Sequence, residues 1–338
     1  MTLTPKEILN EYISGDPSAH IISAEDSAHL KRVLLEIALD VQEVCEKHHL
    51  HLMLAGGTLL GTIRHHGFIP WDDDLDFCML RKDYEKLASV FDAELSDKYE
   101  LRCPNTDHPN NNRFMQILKK ATSYTTILGD SPVRPNKIYI DIFPMDVAPD
   151  SVFFQYLKGY CCNALMTIAS AVGTTYYPDR FEAYYRKSVK GRFLLAGRDM
   201  IGKLFSFRDP VWWFNHVDMA IRAPQDRYLG EVKYRKHKRT SDSLIIKKIK
   251  GRKKNVRMPK YITSATGRKH YIGEIMPVSE FLPVKKLEFE GHLFDAPRNP
   301  DYYLRRMYGD DYMKLPPVEK RESHFIKHID FGDDAEDY

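Results

Sequence analysis

The chain has little that would fix it covalently or hold it in a membrane. It has only five cysteines, Cys45, Cys78, Cys103, Cys161 and Cys162, an odd number with two of them adjacent. That excludes a disulfide framework and favours a reducing cytosol. It has no apolar run of about 18 residues, so the sequence offers no membrane-spanning helix. The opening MTLTPKEILNEY lacks a basic start and an apolar core and does not read as a signal peptide. No internal repeat is evident, which excludes solenoid and propeller arrays. Net charge is only +3, which points to no class of partner until its distribution is considered. Between Glu231 and Lys260 stand 13 Lys and Arg against two acids, and the last ten residues carry five acids.

What is present is globular. Hydrophobic residues make up 43% and charged residues 29% of 338, enough for one large or two ordinary domains. A helix is predicted over 25–48, capped by Ser23 with Asp26 three residues on. Leu30, Val33, Leu34, Ile37, Val41, Val44 and Cys45 form its apolar stripe. LHLML (50–54) reads as a short strand, and TLLGTIRHH as a helix that follows Gly56-Gly57 and ends at Gly67. DLDFCML (74–80) and KIYIDIF (137–143) read as strands, with a helix capped by Asp83 after the first. Helices dominate from Pro149 to about residue 222, and a compact part begins near 276. The segments 151–177 and 192–214 read as core helices or, because they mix apolar, basic and aromatic residues, as an interfacial surface on anionic lipid. The alternation of helix and strand in the front half predicts a sheet with helices packed on it.

One stretch concentrates the chemistry. AGGTLLGTIRHHGFIPWDDDLD (55–76) closes on five residues of which four are aspartate. Like charges this close repel unless water screens them or a cation joins them, and the apolar FCML that follows argues against simple solvation. Asp74 and Asp76, two apart on the expected strand, would share a face, with Asp72 just upstream. Asp141 stands alone between Ile140 and Ile142 on a second strand. Clustered hard oxygen ligands suit Mg²⁺ or Mn²⁺. Gly56 and Gly57, between a strand and a helix, let backbone amides approach a phosphate. Phosphate at the glycines and metal at the aspartates is a layout for phosphoryl or nucleotidyl transfer. A calcium EF-hand starting at Asp72 is excluded, because its sixth and twelfth positions would be Phe77 and Asp83.

These residues carry a resemblance. GGTLLGTIRHHGFIPWDDDLDFCMLRKDY resembles the signature of the LicD family of phosphotransferases, whose relatives include the fukutin-type proteins. Further matching pieces are YIDIFPMD (139–146), VKKLEFEGHLFDAPRNPDYYLRRMYGDDYMKLPP and RESH, the last two within 284–324. The resemblance implies an α+β, nucleotidyltransferase-like mixed sheet with packed helices and a mostly helical second half. It implies transfer of a phospho-alcohol group such as phosphocholine from a CDP-linked donor to a hydroxyl of a cell-surface glycan: lipopolysaccharide, teichoic acid or capsule. By motif position, Asp72, Asp74, Asp76 and Asp141 are the catalytic and metal-binding set and Gly56-Gly57 the phosphate-contacting turn, with Thr58 beside it; Arg64, seven residues after Gly57 and about two helical turns on, pairs donor phosphate or braces the aspartates.

Secondary candidates follow. His65 and His66 at the helix end read as solvated or dipole-stabilised. Phe68 or Trp71 offers an aromatic face to a quaternary ammonium, or packs the loop. Arg321 and His324 close the last motif, and Tyr308-Gly309 reads as a helix stop. The basic run 231–260 lacks aromatic interleaving, so nucleic acid is not expected; it reads as a solvated loop or as contact with anionic lipid or a charged glycolipid acceptor. The chain then divides into an N-terminal extension (1–24), a catalytic core (25–150), a helical and basic variable region (151–275), a C-terminal part of the catalytic unit (276–328) and an acidic tail (329–338). A cytoplasmic enzyme, peripheral at the inner face of the membrane, is the expectation. A glycosyltransferase using Asp-x-Asp on a sugar nucleotide and a non-catalytic scaffold are the alternatives.

Overall fold

The apolar stripe of the first helix buries at every expected position. In the computed structural model, which describes residues 20–108, 112–126, 135–178, 186–222, 245–249, 252–256, 259–317 and 325–332, a short strand β1 (His20–Ile21) leads into α1 (Ala24–Lys47). The Asp26 amide donates to Ser23 Oγ at 3.0 Å, and Leu30, Val33, Leu34, Ile37, Val41, Val44 and Cys45 are all buried. The front half continues as β2 (Met53–Leu54), α2 (Gly56–His65), β3 (Asp76–Leu80), α3 (Arg81–Glu94), β4 (Tyr99–Arg102), β5 (Met115–Lys119), β6 (Ser123–Thr126) and β7 (Tyr139–Ala148). Among the described residues three helices follow, α4 (Val152–Tyr176), α5 (Val189–Phe205) and α6 (Pro210–Arg222), then the paired strands β8 (Ile245–Ile249) and β9 (Arg252–Val256). The chain ends with β10 (Tyr261–Thr263), α7 (His270–Gly273), β11 (Met276–Pro277), α8 (Val278–Phe281), β12 (Lys285–Phe289), β13 (His292–Ala296), α9 (Pro300–Tyr308) and β14 (Phe325–Asp330).

The main sheet runs β11-β10-β7-β3-β2-β13-β12, with β5 also on β7 and β4 on β5. It is mixed: β3 is parallel to β7 and β13 to β2, while β2–β3, β5–β7 and β10–β7 are antiparallel. The architecture is α+β, as expected. Among the described residues no helix is long and apolar enough to cross a membrane.

Local boundaries differ from the pattern in informative ways. β3 begins at Asp76, so Asp74 lies in the loop ahead of the strand rather than on it. β2 is only Met53–Leu54, although Leu50 and Leu52 are buried. The left-handed residue that stops α2 is His66, at φ 62, one position before Gly67. Asp83 does not cap α3; it sits in the first turn and accepts the His51 amide at 3.2 Å. β7 runs on to Ala148 instead of ending at 143. Gly309, at φ 91, does end α9.

The helical half is only partly core. Cys162, Met166, Val172, Trp213, Val217 and Ile221 form a second apolar cluster, closed by Ala265 and Tyr271. Outward, Phe153 is 70%, Phe193 78% and Leu204 67% exposed. These helices join the sheet through a buried ion cluster. Arg81 of α3 holds Asp146 of β7 with two bonds of 2.7 Å and Asp218 of α6 with a third, and burial with paired charges is tolerated only when satisfied this fully. Most of the basic run 231–260 lies outside the described residues, apart from the β8–β9 ladder.

Candidate active site

The parallel pairing of β3 with β7 sets Asp76 directly beside Asp141. Both side chains therefore leave the same sheet face, while Phe77, Ile140 and Ile142 are fully buried on the other. On the far side of β7, the β5 residue opposite Asp141 is Gln116, whose Nε2 donates to Asp141 Oδ1 at 2.9 Å. The two carboxylates open into a cavity of about 740 Å³ that Asp72 and Asp74 also line. Asp73 is diverted: the Tyr124 hydroxyl donates to its Oδ2 at 2.6 Å. Three of the four aspartates in the run thus converge with Asp141, and the fourth is held aside by a hydrogen bond.

Burial pushes the Asp76 carboxyl well above the usual carboxylate range, helped by the charges of Asp74, Asp141 and Asp72 and opposed by the Gly57 amide. Burial likewise raises Asp141 to about 7, against the pull of the Gln116 hydrogen bond and with a further push from Asp74. Such carboxyls gain from a proton or a cation beside them.

The glycines make room for these oxygens. Both lie in the first turn of α2, not ahead of it. Gly56 takes φ +50, and a Cβ there would overlap Asp76 Oδ2; a Cβ on Gly57 would stand 2.8 Å from Asp72 Oδ2. The Gly56 amide donates to the Tyr303 hydroxyl at 3.0 Å. Thr58, expected beside the donor, is instead buried: its Oγ1 accepts the Asp76 amide at 2.8 Å, so it braces the strand from below. Arg64 does line the cavity, with Nη1 donating to the Tyr312 carbonyl at 3.1 Å and its guanidinium 6.0 Å from the Trp71 ring centre. Trp71 lines the cavity too. Phe68 does not; it packs on Phe289 at 4.9 Å. His65 accepts from Arg64 Nε at 3.0 Å through Nε2, and burial lowers its basicity. His66 is exposed. Arg321 and His324 lie outside the described residues.

A second wall was not anticipated. β10 is antiparallel to β7 with Thr263 opposite Asp146, so the chain leaving β10 heads back toward Asp141. It contributes Ser264, Thr266, Gly267, Arg268, His270 and Glu274 to the same cavity. Glu274 is buried, accepts the Lys269 amide at 2.9 Å and is raised by burial to about 7. The only sequence signal was a Thr-Gly step after a three-residue strand, too common to single out.

Among the described residues no group of three acidic, histidine or cysteine side chains is placed to hold a metal ion by itself. The donor set fits a hard ion that takes one or two carboxylates and completes its shell with water and substrate phosphates, as Mg²⁺ usually does.

Comparison with known proteins agrees with this geometry. Residues 49–159, which hold both glycines, the aspartate run and Asp141, match the family described as LicD/FKTN/FKRP, nucleotidyltransferase domain. Over 299 residues, 87% of this chain and 94% of the relative, the sequence is 26% identical to the lipopolysaccharide cholinephosphotransferase LicD of Haemophilus influenzae. A stretch of 57 residues, 17% of this chain and 21% of the relative, is 40% identical to an uncharacterized protein of Rickettsia prowazekii.

Proposed function

We propose that this chain, which carries a LicD-family domain over residues 49–159, transfers phosphocholine or a similar phospho-alcohol from a CDP-linked donor to a hydroxyl of a cell-surface glycan, with Mg²⁺ or Mn²⁺ as the required ion. One observation carries the reading: Gly56, Gly57, Asp72, Asp74, Asp76 and Asp141 meet in one cavity, in a chain that aligns with nearly the whole of a cholinephosphotransferase. Lipopolysaccharide, the acceptor in that relative's name, is the first glycan to test.

In this reading Asp76 and Asp141, with Asp72 and Asp74 at the rim, hold the ion. When bound, the ion neutralises charge on the donor's phosphates. Gly56 and Gly57, in the first turn of α2, leave room for the Asp76 and Asp72 oxygens beside the ion. Trp71 presents an aromatic face to a quaternary ammonium. The acceptor oxygen forms its bond to the phosphorus bearing the alcohol as the bond to CMP breaks, and the hydroxyl proton must leave. Asp141, titrating near neutrality, is suited to take that proton when it is not serving as a ligand.

The acceptor is expected at the cytosolic membrane face. The exposed Phe193, Met200 and Leu204 recur at helical spacing on α5, and the same helix carries Lys190, Arg192 and Lys203. An apolar stripe among cations suits peripheral contact with anionic lipid.

The test follows CMP release from CDP-choline, with UDP-sugars as the competing donors, in Mg²⁺ and in EDTA. Release should need a glycan acceptor and the ion. Asp74→Asn should lower turnover by at least about 100-fold while melting cooperatively, as expected for loss of transition-state charge stabilisation. Full turnover in excess EDTA, or preferred use of UDP-sugars, would reject the assignment in favour of metal-free chemistry or glycosyl transfer.

A further inference from the structure

Two buried hydroxyls belong to residues of the cavity wall. Ser264 is 5% and Thr266 3% exposed, and neither Oγ nor Oγ1 meets a hydrogen-bond partner among the described residues. Buried polar groups nearly always find one, and an unmet donor weakens the folded state. The alternation is informative. Ala265, between them, enters the apolar cluster of the helical half, while Ser264 and Thr266 line the cavity. The Ser264 carbonyl accepts the Gly267 amide at 3.0 Å, which closes a turn, and any Cβ at Gly267 would run into the Glu274 carboxylate. The turn is therefore fixed from behind, in the wall of the cavity.

Its place in the sheet says what it faces. The order β10-β7-β3-β2 puts this turn on the β10 flank of the Asp76–Asp141 pair, and the glycine turn of α2 on the β2 flank. The carboxylates between them repel an anion unless a cation intervenes. The turn offers the opposite chemistry: hydroxyl donors, with Arg268 and Arg113 lining the same cavity.

We infer that the Ser264–Arg268 turn is an anion subsite that takes one phosphate of a pyrophosphate-bridged ligand. This rests on the donor class proposed above. It adds residues outside the 49–159 family match, and it can be tested without the full donor.

The probe is Mg²⁺-pyrophosphate, titrated calorimetrically into the full chain. Wild type should bind it, and the double variant Ser264→Ala/Thr266→Val should bind at least tenfold more weakly. The variant's melting temperature without ligand should be equal or higher, because two unmet hydroxyls are gone. Thr266→Ser, which keeps the hydroxyl, should retain affinity. If the double variant does not fold, Thr266→Val alone, nearly isosteric, should still weaken binding severalfold. Unchanged pyrophosphate affinity in a folded variant overturns the inference, as does a wild type that binds no pyrophosphate. A lowered ligand-free melting temperature with unchanged affinity also overturns it and assigns the hydroxyls to the fold. Wild type that binds pyrophosphate through this turn but ignores CDP-choline keeps the subsite and rejects the donor.

Discussion

Replacing Asp141 with Asn should make the cation-free protein more stable at alkaline pH and inactive at every pH. The folded carboxyl sits at about 7 against an ordinary 3.8. Between those values the folded chain keeps a proton that the unfolded chain has lost, so stability falls as pH rises through that window. The whole cost is present above it. At 1.36 kcal/mol per pH unit this is at most about 4 kcal/mol. Asp141 lines an open cavity, where solvent screens part of this, so a net gain of about 1–3 kcal/mol is the working figure. Asn keeps an oxygen for the Gln116 amide and brings no charge.

The measurement is urea unfolding in EDTA at pH 5, 6, 7 and 8, expressed as variant minus wild type. Glu274, raised over the same range, cancels in that difference. The difference should grow toward pH 8 and shrink toward pH 5. Millimolar Mg²⁺ should then stabilise wild type more than the variant, since a ligand that binds only the folded state adds to its stability. A variant less stable than wild type at pH 8 in EDTA, or a difference flat with pH, would refute the reasoning.

Other substitutions probe the surrounding frame. Gly56→Ala places a Cβ on Asp76 Oδ2 at φ +50 and should cost about 1–2 kcal/mol of stability and more than about tenfold in kcat/KM, whereas Gly57→Ala meets only the movable end of Asp72. A more damaging Gly57 variant would mean that ligand approach, not room for Asp76, fixes the pair. Arg81→Met leaves Asp146 and Asp218 buried without their cation, and urea unfolding should show a loss of about 3–5 kcal/mol; a loss under about 1 kcal/mol would remove this cluster as the link between sheet and helices. Vesicle cosedimentation should show binding to anionic lipid at low salt, release at high salt, and weakening in Phe193→Asp/Leu204→Asp with soluble-acceptor turnover intact; equal binding to neutral vesicles would refute an electrostatic contribution.

What was legible in the sequence was local and periodic. The stripe of α1 carries its burial in its spacing, and YIDIF announces a lone carboxylate between two core residues. Their combination was legible as a possibility, but the β3–β7 register that sets Asp76 against Asp141 is a long-range fact. Two departures have the same origin. The alternation in DLDF puts Asp74 on a strand, but the ladder starts at Asp76. Position next to the glycines puts Thr58 beside the donor, but helical geometry turns it toward the Asp76 amide. Tyr124 lies 51 positions from Asp73, and no local pattern connects them. The wall at 264–274 is ordinary turn sequence whose meaning depends entirely on β10 lying beside β7.

The aspartate run can now be explained by opposing demands on one cavity. Solvent does not account for it, because two of the carboxylates it helps assemble are raised by burial. The Tyr124 hydroxyl holds Asp73 aside, while Asp72, Asp74 and Asp76 line the cavity. The sheet places negative charge at its centre and unmet hydroxyls on the β10 flank. A cation alone would satisfy the carboxylates and leave the hydroxyls unmet. An anion alone would be repelled by the carboxylates it must pass. A cation complexed with linked phosphates answers both walls at once, so each component should bind more tightly when the other is present, and by the same factor.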